Sequence, residues 1–304
     1  GNGNPAQAYA NNDNFFVNGR STDNNLSISG GNDVINYYVS TGYLYQQGIV
    51  PKSDWQRISV LGKISADLTD NLNLGFQANY INSGGNRIQR GSNISGVMLG
   101  LMRNTPTFDI ANGYTDGREA ADDESVYVLP DGTQRSYRNG VYDSPFWTVN
   151  RNPFEDNVNR VIGNLSLTYD VLPWLTISYK LGLDTYGDSR IYSMDINSAD
   201  VPEGQVVMRN ITNTDLNQDL LFLFNTEFAQ DFNLNATLGA NSWDTRYDSR
   251  TTTGTTLGAQ GFYHISNATN ITSGQTILEK MIYGVFADIR LGWRNQLFLN
   301  LSAR

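Results

Sequence analysis

Cysteine is absent from this chain of 304 residues, and histidine occurs once, as His264. Without thiols, the chain has neither a disulfide framework nor a thiolate metal site. Long hydrophobic runs are missing too, because the longest clean apolar stretch, Leu220 to Phe224, is far too short for a membrane-spanning helix. The single histidine has no nucleophile motif beside it, so catalysis finds no support and we expect a protein that is not an enzyme.

Basic residues are scarce as well, since 21 Lys and Arg stand against 30 Asp and Glu, for a net charge of −9. Phosphate binding requires a basic surface, so nucleic acid is not an expected partner. The hydrophobic content of 39 % is low for a globular domain, and the mean hydropathy is negative. A membrane barrel remains compatible with this average, because it needs apolar residues only at alternate positions.

Alternation of apolar and polar residues is what the chain has in abundance. The clearest example places apolar or weakly polar side chains at every second position, namely Ile35, Tyr37, Val39, Thr41, Tyr43 and Tyr45. Side chains alternate between the two faces of a strand, so this pattern predicts a strand with one apolar face. Ten such strands are predicted, at about 22–30, 34–46, 55–68, 72–82, 158–169, 174–187, 219–229, 233–247, 277–291 and 296–304.

The connections between these strands switch regularly between short and long. Short turns rich in Gly, Asn, Asp and Pro follow every odd-numbered strand, for example Gly31 to Asp33 and Asp170 to Pro173. The long connections are predicted at 47–54, 83–157, 188–218 and 248–276. This pattern is typical of outer-membrane barrels, with short periplasmic turns and long extracellular loops, so we predict an all-β, transmembrane, antiparallel β-barrel.

Aromatic and charged residues fit the same interpretation. Trp174 and Trp293 fall beside short turns, whereas Trp55 and Trp243 fall near the predicted long-loop ends, which suggests two aromatic girdles. Charged residues predicted to point into a polar lumen are Lys63, Asp67, Lys180, Asp184, Glu227, Asp288 and Arg290. A soluble antiparallel sandwich or propeller is the alternative fold, but its strands seldom reach ten to fifteen residues.

Several sequence phrases, in order, resemble the SusC/RagA family of TonB-dependent outer-membrane transporters of Bacteroidetes. They are Asn25 to Gly31, Tyr37 to Tyr43, Gln47 to Ile49, Arg57, Arg160 to Asn164, Tyr169 with Asp170, Trp174 with Leu175, Gly182 to Asp184, Gly284 to Asp288, and Phe298 to Arg304. The resemblance covers essentially the whole chain. It implies a 22-stranded barrel, a preceding plug that contacts TonB–ExbB–ExbD, and a SusD-like surface lipoprotein that closes over captured glycans or peptides.

The resemblance also implies a multi-pass protein of the cell outer membrane, surrounded by outer-membrane lipid, of which this chain is a part. The chain begins at Gly1 without Met or a signal segment and stops at Arg304 within a predicted strand. Ten strands cannot close around a plug, so we expect residues 1–304 to be a portion of the barrel domain, with the plug and remaining strands elsewhere. Glycan is the first choice of substrate, by its prevalence in the family, and oligopeptide is the second.

The predicted 83–157 loop holds the candidate substrate-binding residues, which are aromatic: Tyr114, Tyr127, Tyr137, Tyr142 and Trp147. Flat aromatic faces stack on sugar rings or grip a peptide, while neighbouring polar groups supply hydrogen bonds. The same side chains could instead pack the loop against itself. We expect this loop and 188–218 to form the lipoprotein contact and the upper wall of a ligand chamber.

An acidic cluster in the same loop is the candidate metal site, a calcium site built from Asp116, Glu119, Asp122, Asp123 and Glu124. Carboxylate oxygens suit Ca²⁺, but the spacing lacks the glycine and alternation of a calcium loop, which favours a solvated acidic loop without cofactor. Two alternative functions stay open at this point. One is a passive porin-like or structural outer-membrane barrel, and the other is a soluble carbohydrate-binding β protein.

Overall fold

A single antiparallel sheet of ten strands forms most of the molecule in the computed structural model, which describes residues 6–89, 95–229, 231–294 and 296–304. Each strand pairs with its sequence neighbours, in the order β1 to β10. The strands are β1 Ser21–Gly31, β2 Ile35–Gln47, β3 Asp54–Thr69, β4 Leu72–Arg87, β5 Phe154–Leu172, β6 Leu175–Met194, β7 Gln205–Phe228, β8 Phe232–Leu257, β9 Ala268–Trp293 and β10 Leu297–Ala303. The ten predicted strands are therefore confirmed in number and order, and the soluble-sandwich alternative is wrong, because all ten lie in one sheet.

Short helices occupy the chain before β1 and the long connection between β4 and β5. They are α1 Asn11–Phe15, α2 Val97–Met102, α3 Gly117–Asp122 and α4 Pro145–Arg151, with a 3-10 turn at Glu124–Val126, and a further 3-10 turn at Ile265–Asn267 lies between β8 and β9. In the part of the chain that the structure describes, no helix is long and apolar enough to cross a membrane. The predicted domain of residues 1–304 includes Gly1 to Pro5, which lie outside the described residues, as do Gln230 and Asn295 of two predicted turns.

The strand register separates an apolar face from a polar face. Tyr37, Ile64 and Phe76 lie directly opposite one another on β2, β3 and β4, and the neighbouring row on the other face contains Lys63, Gln77 and Asn164. The apolar face is not covered by protein, since Ile64 is 44 % and Phe76 45 % exposed. In a barrel this face meets lipid and the polar face meets the lumen. All seven charged residues predicted to point into the lumen lie on the polar face.

Of the four tryptophans predicted to form two girdles, the two beside the short turns lie against the apolar face. Trp174 stacks on Phe224 with ring centroids 6.2 Å apart, and Trp293 lies on the apolar face in the same cross-strand row as Phe232. Trp55 and Trp243 instead lie on the polar face. Trp55 is an even number of residues from Lys63 on β3, and Trp243 pairs with Asn217 in the cross-strand row of Lys63. The prediction that Trp55 and Trp243 form an outer girdle is therefore wrong, because the parity of each strand places them on the polar face.

The strands extend much further outward than predicted. The connections shrink to 48–53, 88–153, 195–204 and 258–267, so the predicted long loop 188–218 is wrong and most of it is strand. Alternation disappears there because both faces are polar: Arg246, Asp248 and Arg250 occupy the face that is apolar at Leu238. The β-ladder continues without alternation, since water can solvate both faces outside the membrane. The outer parts of β6 to β9 thus form a polar wall above the apolar belt.

The buried core of the chain lies in a small helical layer at the long-loop end of the sheet. We define the cap as α1 together with the described part of 88–153. Its core is formed mainly by Phe15, Val97, Leu101, Ile110, Val126, Phe146 and Trp147. Phe15 and Phe146 meet edge to face, with ring centroids 5.0 Å apart. Apolar burial holds the cap as in a soluble domain, although the sheet beneath it turns its apolar face outward.

Candidate functional site

The cap is joined to the 195–204 loop by a buried polar network centred on Asp143. This carboxylate accepts hydrogen bonds from Gln134 Nε2 at 2.6 Å, Asn152 Nδ2 at 3.2 Å and the backbone N–H of Ala199 at 2.7 Å. Only 2 % of Asp143 is exposed. Burial raises the pKa of the Asp143 carboxyl above its ordinary value, while the hydrogen bonds oppose that shift.

A second buried carboxylate, Asp195, ties the 195–204 and 258–267 loops to α4. Its Oδ1 accepts from the N–H of Gly261 at 2.9 Å, and its Oδ2 accepts from the Tyr263 hydroxyl at 3.1 Å and Arg151 Nη1 at 3.4 Å. Burial raises the pKa of Asp195, and burial beside this carboxylate also raises the pKa of the Tyr263 hydroxyl. The three connections therefore form one interlocked outer layer.

Helix α4 shows how the local sequence builds this layer. Ser144 precedes the helix and Pro145 occupies its first turn, where a missing N–H costs nothing. Phe146 and Trp147 are fully buried, and Trp147 Nε1 donates to Ser198 Oγ at 3.0 Å. The indole thus joins apolar packing to the polar network.

The five predicted substrate-binding aromatics separate into two groups. Trp147 and Tyr127 are 0 % and 8 % exposed and belong to the cap core, and Tyr114 packs against that core with its hydroxyl donating to Asp123 at 2.9 Å. Tyr137 and Tyr142 lie at the surface of the cap and stack with centroids 6.3 Å apart. Trp147 and Tyr127 thus pack the loop rather than present a face to a ligand.

Two arginine side chains lie against Tyr142 of this stacked pair. Arg103 Nη1 donates to the Tyr142 hydroxyl at 2.6 Å, and the guanidinium carbons of Arg103 and Arg138 lie 5.4 and 6.0 Å from the Tyr142 ring centroid. A flat aromatic surface edged by hydrogen-bond donors can stack on a planar ligand group and bind its oxygen atoms. Of the predicted residues, this pair lies at the cap surface, and its role in ligand binding stays a prediction.

The acidic residues proposed as a calcium site point to separate partners. Asp116 caps α3 by accepting from Arg118 N–H at 2.7 Å, Asp122 pairs with Lys52, and Glu124 pairs with Arg151. Among the described residues, no group of three or more His, Asp or Glu side chains could hold a metal ion. His264 caps the 3-10 turn at Ile265–Asn267, where its Nδ1 accepts from Ser266 N–H at 3.1 Å.

A cavity of about 510 Å³ lies between the cap and the outer ends of β2 to β5. Its charged lining comprises Lys52, Asp54, Arg87, Arg118 and Asp122. Sequence reasoning did not find this cavity, because its walls come from five separated segments and contain no contiguous motif. Arg87 is held there by Asp156, which accepts from its Nε at 2.9 Å and its Nη2 at 2.8 Å.

Comparison with known proteins identifies the architecture. The chain superposes on the RagAB peptide importer in its closed-closed and open-open states with TM-scores of 0.74 and 0.75, over 98 % of this chain and 33 % of that one, at 15 % identity. A 64-residue stretch, 21 % of this chain, is 31 % identical to the TonB-dependent receptor P3 of Formosa agariphila, of which it covers 6 %. No family model matches.

The chain has the fold of a TonB-dependent transporter barrel. It spans about a third of the length of the solved barrels it resembles. The predicted resemblance to the SusC/RagA family is thereby confirmed at the level of the fold, and so is the predicted location in the outer membrane. The matched proteins carry the names of receptors and importers rather than enzymes.

Proposed function

We propose that this chain is part of the barrel of a SusC/RagA-type importer that takes up oligopeptides across the outer membrane with TonB-supplied energy. The observation that carries the proposal is the likeness over nearly the whole chain to the RagAB peptide importer, cap and extended outer strands included. That likeness favours peptide over glycan, which was the first expectation from the sequence. The ten strands are one portion of the barrel domain, whose further strands pair with the free edges of β1 and β10.

Two further partners belong to this proposal. A plug region outside this chain contacts TonB–ExbB–ExbD, and a SusD-like lipoprotein seats on the cap from the extracellular side. Helix α2 of the cap carries Met98 and Met102 one helical turn apart, and they are 41 % and 66 % exposed. Exposed apolar side chains on an otherwise polar outer surface suit a protein contact.

Copurification tests the importer directly. The full-length protein would be extracted from native outer membranes in mild detergent, and copurifying proteins and bound small molecules identified by mass spectrometry. A stoichiometric surface lipoprotein with bound peptides supports the proposal, and bound glycans would overturn the peptide assignment. A barrel that arrives alone favours the passive-channel alternative.

The lipoprotein contact has its own test. Met98→Glu with Met102→Glu places two charges in the proposed contact and should reduce lipoprotein recovery strongly. Asn139→Glu is the control, because it changes an exposed residue of the cap outside α2. Equal lipoprotein recovery from the α2 double variant and from N139E would remove α2 from the interface.

A further inference from the structure

Arginine and aspartate side chains form ion pairs along the polar face of the outer parts of β4 to β6. Asp156 holds Arg87, Asp184 holds Arg160, and Asp188 accepts from Arg190 Nη2 at 2.6 Å. Each of these three guanidinium groups therefore has its own carboxylate, and Asp188 itself is only 5 % exposed.

Arg209 on β7 differs from these three arginines. Its Nε donates to Ser249 Oγ and its Nη2 to the Tyr247 hydroxyl, both at 3.1 Å, so both hydrogen-bond partners are uncharged. Among the residues that the structure describes, no carboxylate lies within salt-bridge distance of it. Arg209 is exposed and lies directly opposite Arg190 across the β6–β7 ladder. Like charges in directly opposite positions repel, so an anion placed between them would be stabilised.

The local charge balance limits which anion fits. Arg87, Arg190 and Arg209 supply three positive charges against two from Asp156 and Asp188, which leaves one net positive charge. The planar guanidinium fork matches a carboxylate in two parallel hydrogen bonds, and the nearby Tyr247 hydroxyl adds a polar partner. A singly charged carboxylate suits this site better than a doubly charged phosphate, which the two aspartates would repel.

An anionic counterpart lies deeper on the same strand. Asp215 is six residues from Arg209 on the polar face, and its carboxylate accepts from Asn213 Nδ2 at 2.7 Å. Two cations on that face have other partners: Arg160 is committed to Asp184, which lies opposite Asp215, and Lys280, in the same cross-strand row as Asp215, lies over the Trp243 ring. Six residues of strand span about 20 Å, close to the length of an extended peptide of six or seven residues. A positive and a negative site at this separation match a linear ligand with opposite charges at its ends.

We propose that Arg209, with Tyr247 and Ser249, binds the free carboxylate of an extended oligopeptide, and that Asp215 binds its terminal ammonium. This inference rests on the proposed function and names the end-group chemistry of its substrate. Sequence reasoning missed the site because 188–218 had been interpreted as a loop, which hides the shared face of Arg209 and Asp215.

Peptide pools with altered ends test the site on the full-length protein purified with any lipoprotein partner. The probes are random seven-residue peptides with free ends, the same pool as carboxyl-terminal amides, the same pool acetylated at the amino end, and oligogalacturonate. Retained probe is measured by mass spectrometry after gel filtration. Free acids should be retained about tenfold more than amides, the ratio expected for a charge-assisted hydrogen bond.

Matched variants assign that preference to residues. Arg209→Gln should abolish the preference for free acids, and Arg209→Lys should keep part of it. The unaltered protein should retain acetylated peptides less than peptides with a free amino end, and Asp215→Asn should abolish only that difference. Arg250→Gln is the control, because Arg250 lies on the other face of β8, paired with Asp248. Correct folding of every variant is checked by the heat-dependent mobility of the barrel on gels.

Each contrary outcome has a separate meaning. Equal retention of acids and amides by the unaltered protein, or an unchanged preference in R209Q, overturns the carboxylate site while leaving peptide import intact. Preferential retention of oligogalacturonate overturns the peptide as the source of the carboxylate. Retention of neither peptides nor oligogalacturonate contradicts the proposed import function itself.

Discussion

In the inner half of the sheet the apolar side chains lie on the outer surface, where Phe76 and Leu238 are each 45 % exposed, whereas in the cap Phe146 and Trp147 are fully buried. Lipid covers the first set in an outer membrane, and protein covers the second. The charged side chains are placed in the opposite way in the two regions. Lys63 and Asp288 of the sheet face a lumen, whereas Asp143 and Asp195 at the cap are buried. Apolar side chains thus stabilise the sheet against lipid and the cap against protein.

The cap should respond most strongly to loss of a buried side chain. Trp147→Ala removes a fully buried indole and its hydrogen bond to Ser198, and we expect it to destabilise the cap by about 3–5 kcal/mol. Hydrogen exchange of the amides in α2 and α4 should rise while the inner strands remain protected. Tyr137→Ala, a surface change in the same loop, is the control. Protection of the cap that is equal in W147A and the unaltered protein would contradict a protein-like core.

The sheet should respond most strongly to charge on its apolar face. Leu238→Arg places a cation in lipid and should cost about 2–4 kcal/mol, since the site lies in the middle of the apolar band. Thr237→Arg, its neighbour on the polar face, lies opposite Asp288 and should cost little. Urea-dependent folding of the full-length protein into lipid vesicles compares the two variants. Equal losses would show that the two faces do not differ in solvent.

Much of the inner sheet could be predicted from the sequence because lipid on one side and water on the other force a period of two, as in Ile35 to Tyr45. The polar wall could not be predicted, because Asp244 to Arg250 and Thr251 to Thr253 are polar on both faces and resemble a loop. The cap core was equally hidden, because Phe15 and Trp147 are far apart in sequence. Of the predicted aromatics, Tyr137 and Tyr142 lie at the cap surface, and their role in ligand binding stays a prediction.

The pH response should also separate the two regions. Burial raises the pKa of Asp143 and Asp195, so the folded cap binds more protons than the unfolded chain between the ordinary carboxyl pKa and the raised values. The cap should therefore lose stability as the pH rises through that window, and regain it on acidification. Hydrogen exchange of α4, corrected for intrinsic rates, measures the slope.

Asp195→Asn is the matched variant for that slope, because an amide keeps the Oδ1 acceptor for Gly261 N–H without a titrating proton. The slope should become shallower in D195N, and the inner strands should show no comparable change in either protein. A cap whose stability increases with pH through this window would contradict burial as the cause of the shifts.

Surface charge pairs on the polar wall should contribute least to the stability of the barrel. Arg246 and Glu279 pair at 2.9 Å, and both side chains are 59 % exposed. Arg246→Ala should change the stability by less than about 1 kcal/mol, and the change should vanish at high salt. Vesicle folding at low and high ionic strength measures it. A loss as large as that of L238R would mean that this part of β8 lies in lipid.

Cysteine accessibility along β8 tests the division of the sheet most directly, because these 304 residues contain no cysteine and any cysteine elsewhere in the full-length protein would first be replaced by serine. Single cysteines at each position from 234 to 250 would be introduced into the full-length protein in outer membranes and treated with a small, charged, membrane-impermeant thiol reagent. We expect protection at 234, 236, 238 and 240, reaction at the alternate positions, and reaction on both faces from 242 outward. Alternation that continues to 250, or protection that ignores parity below 241, would contradict the membrane belt and polar wall described above.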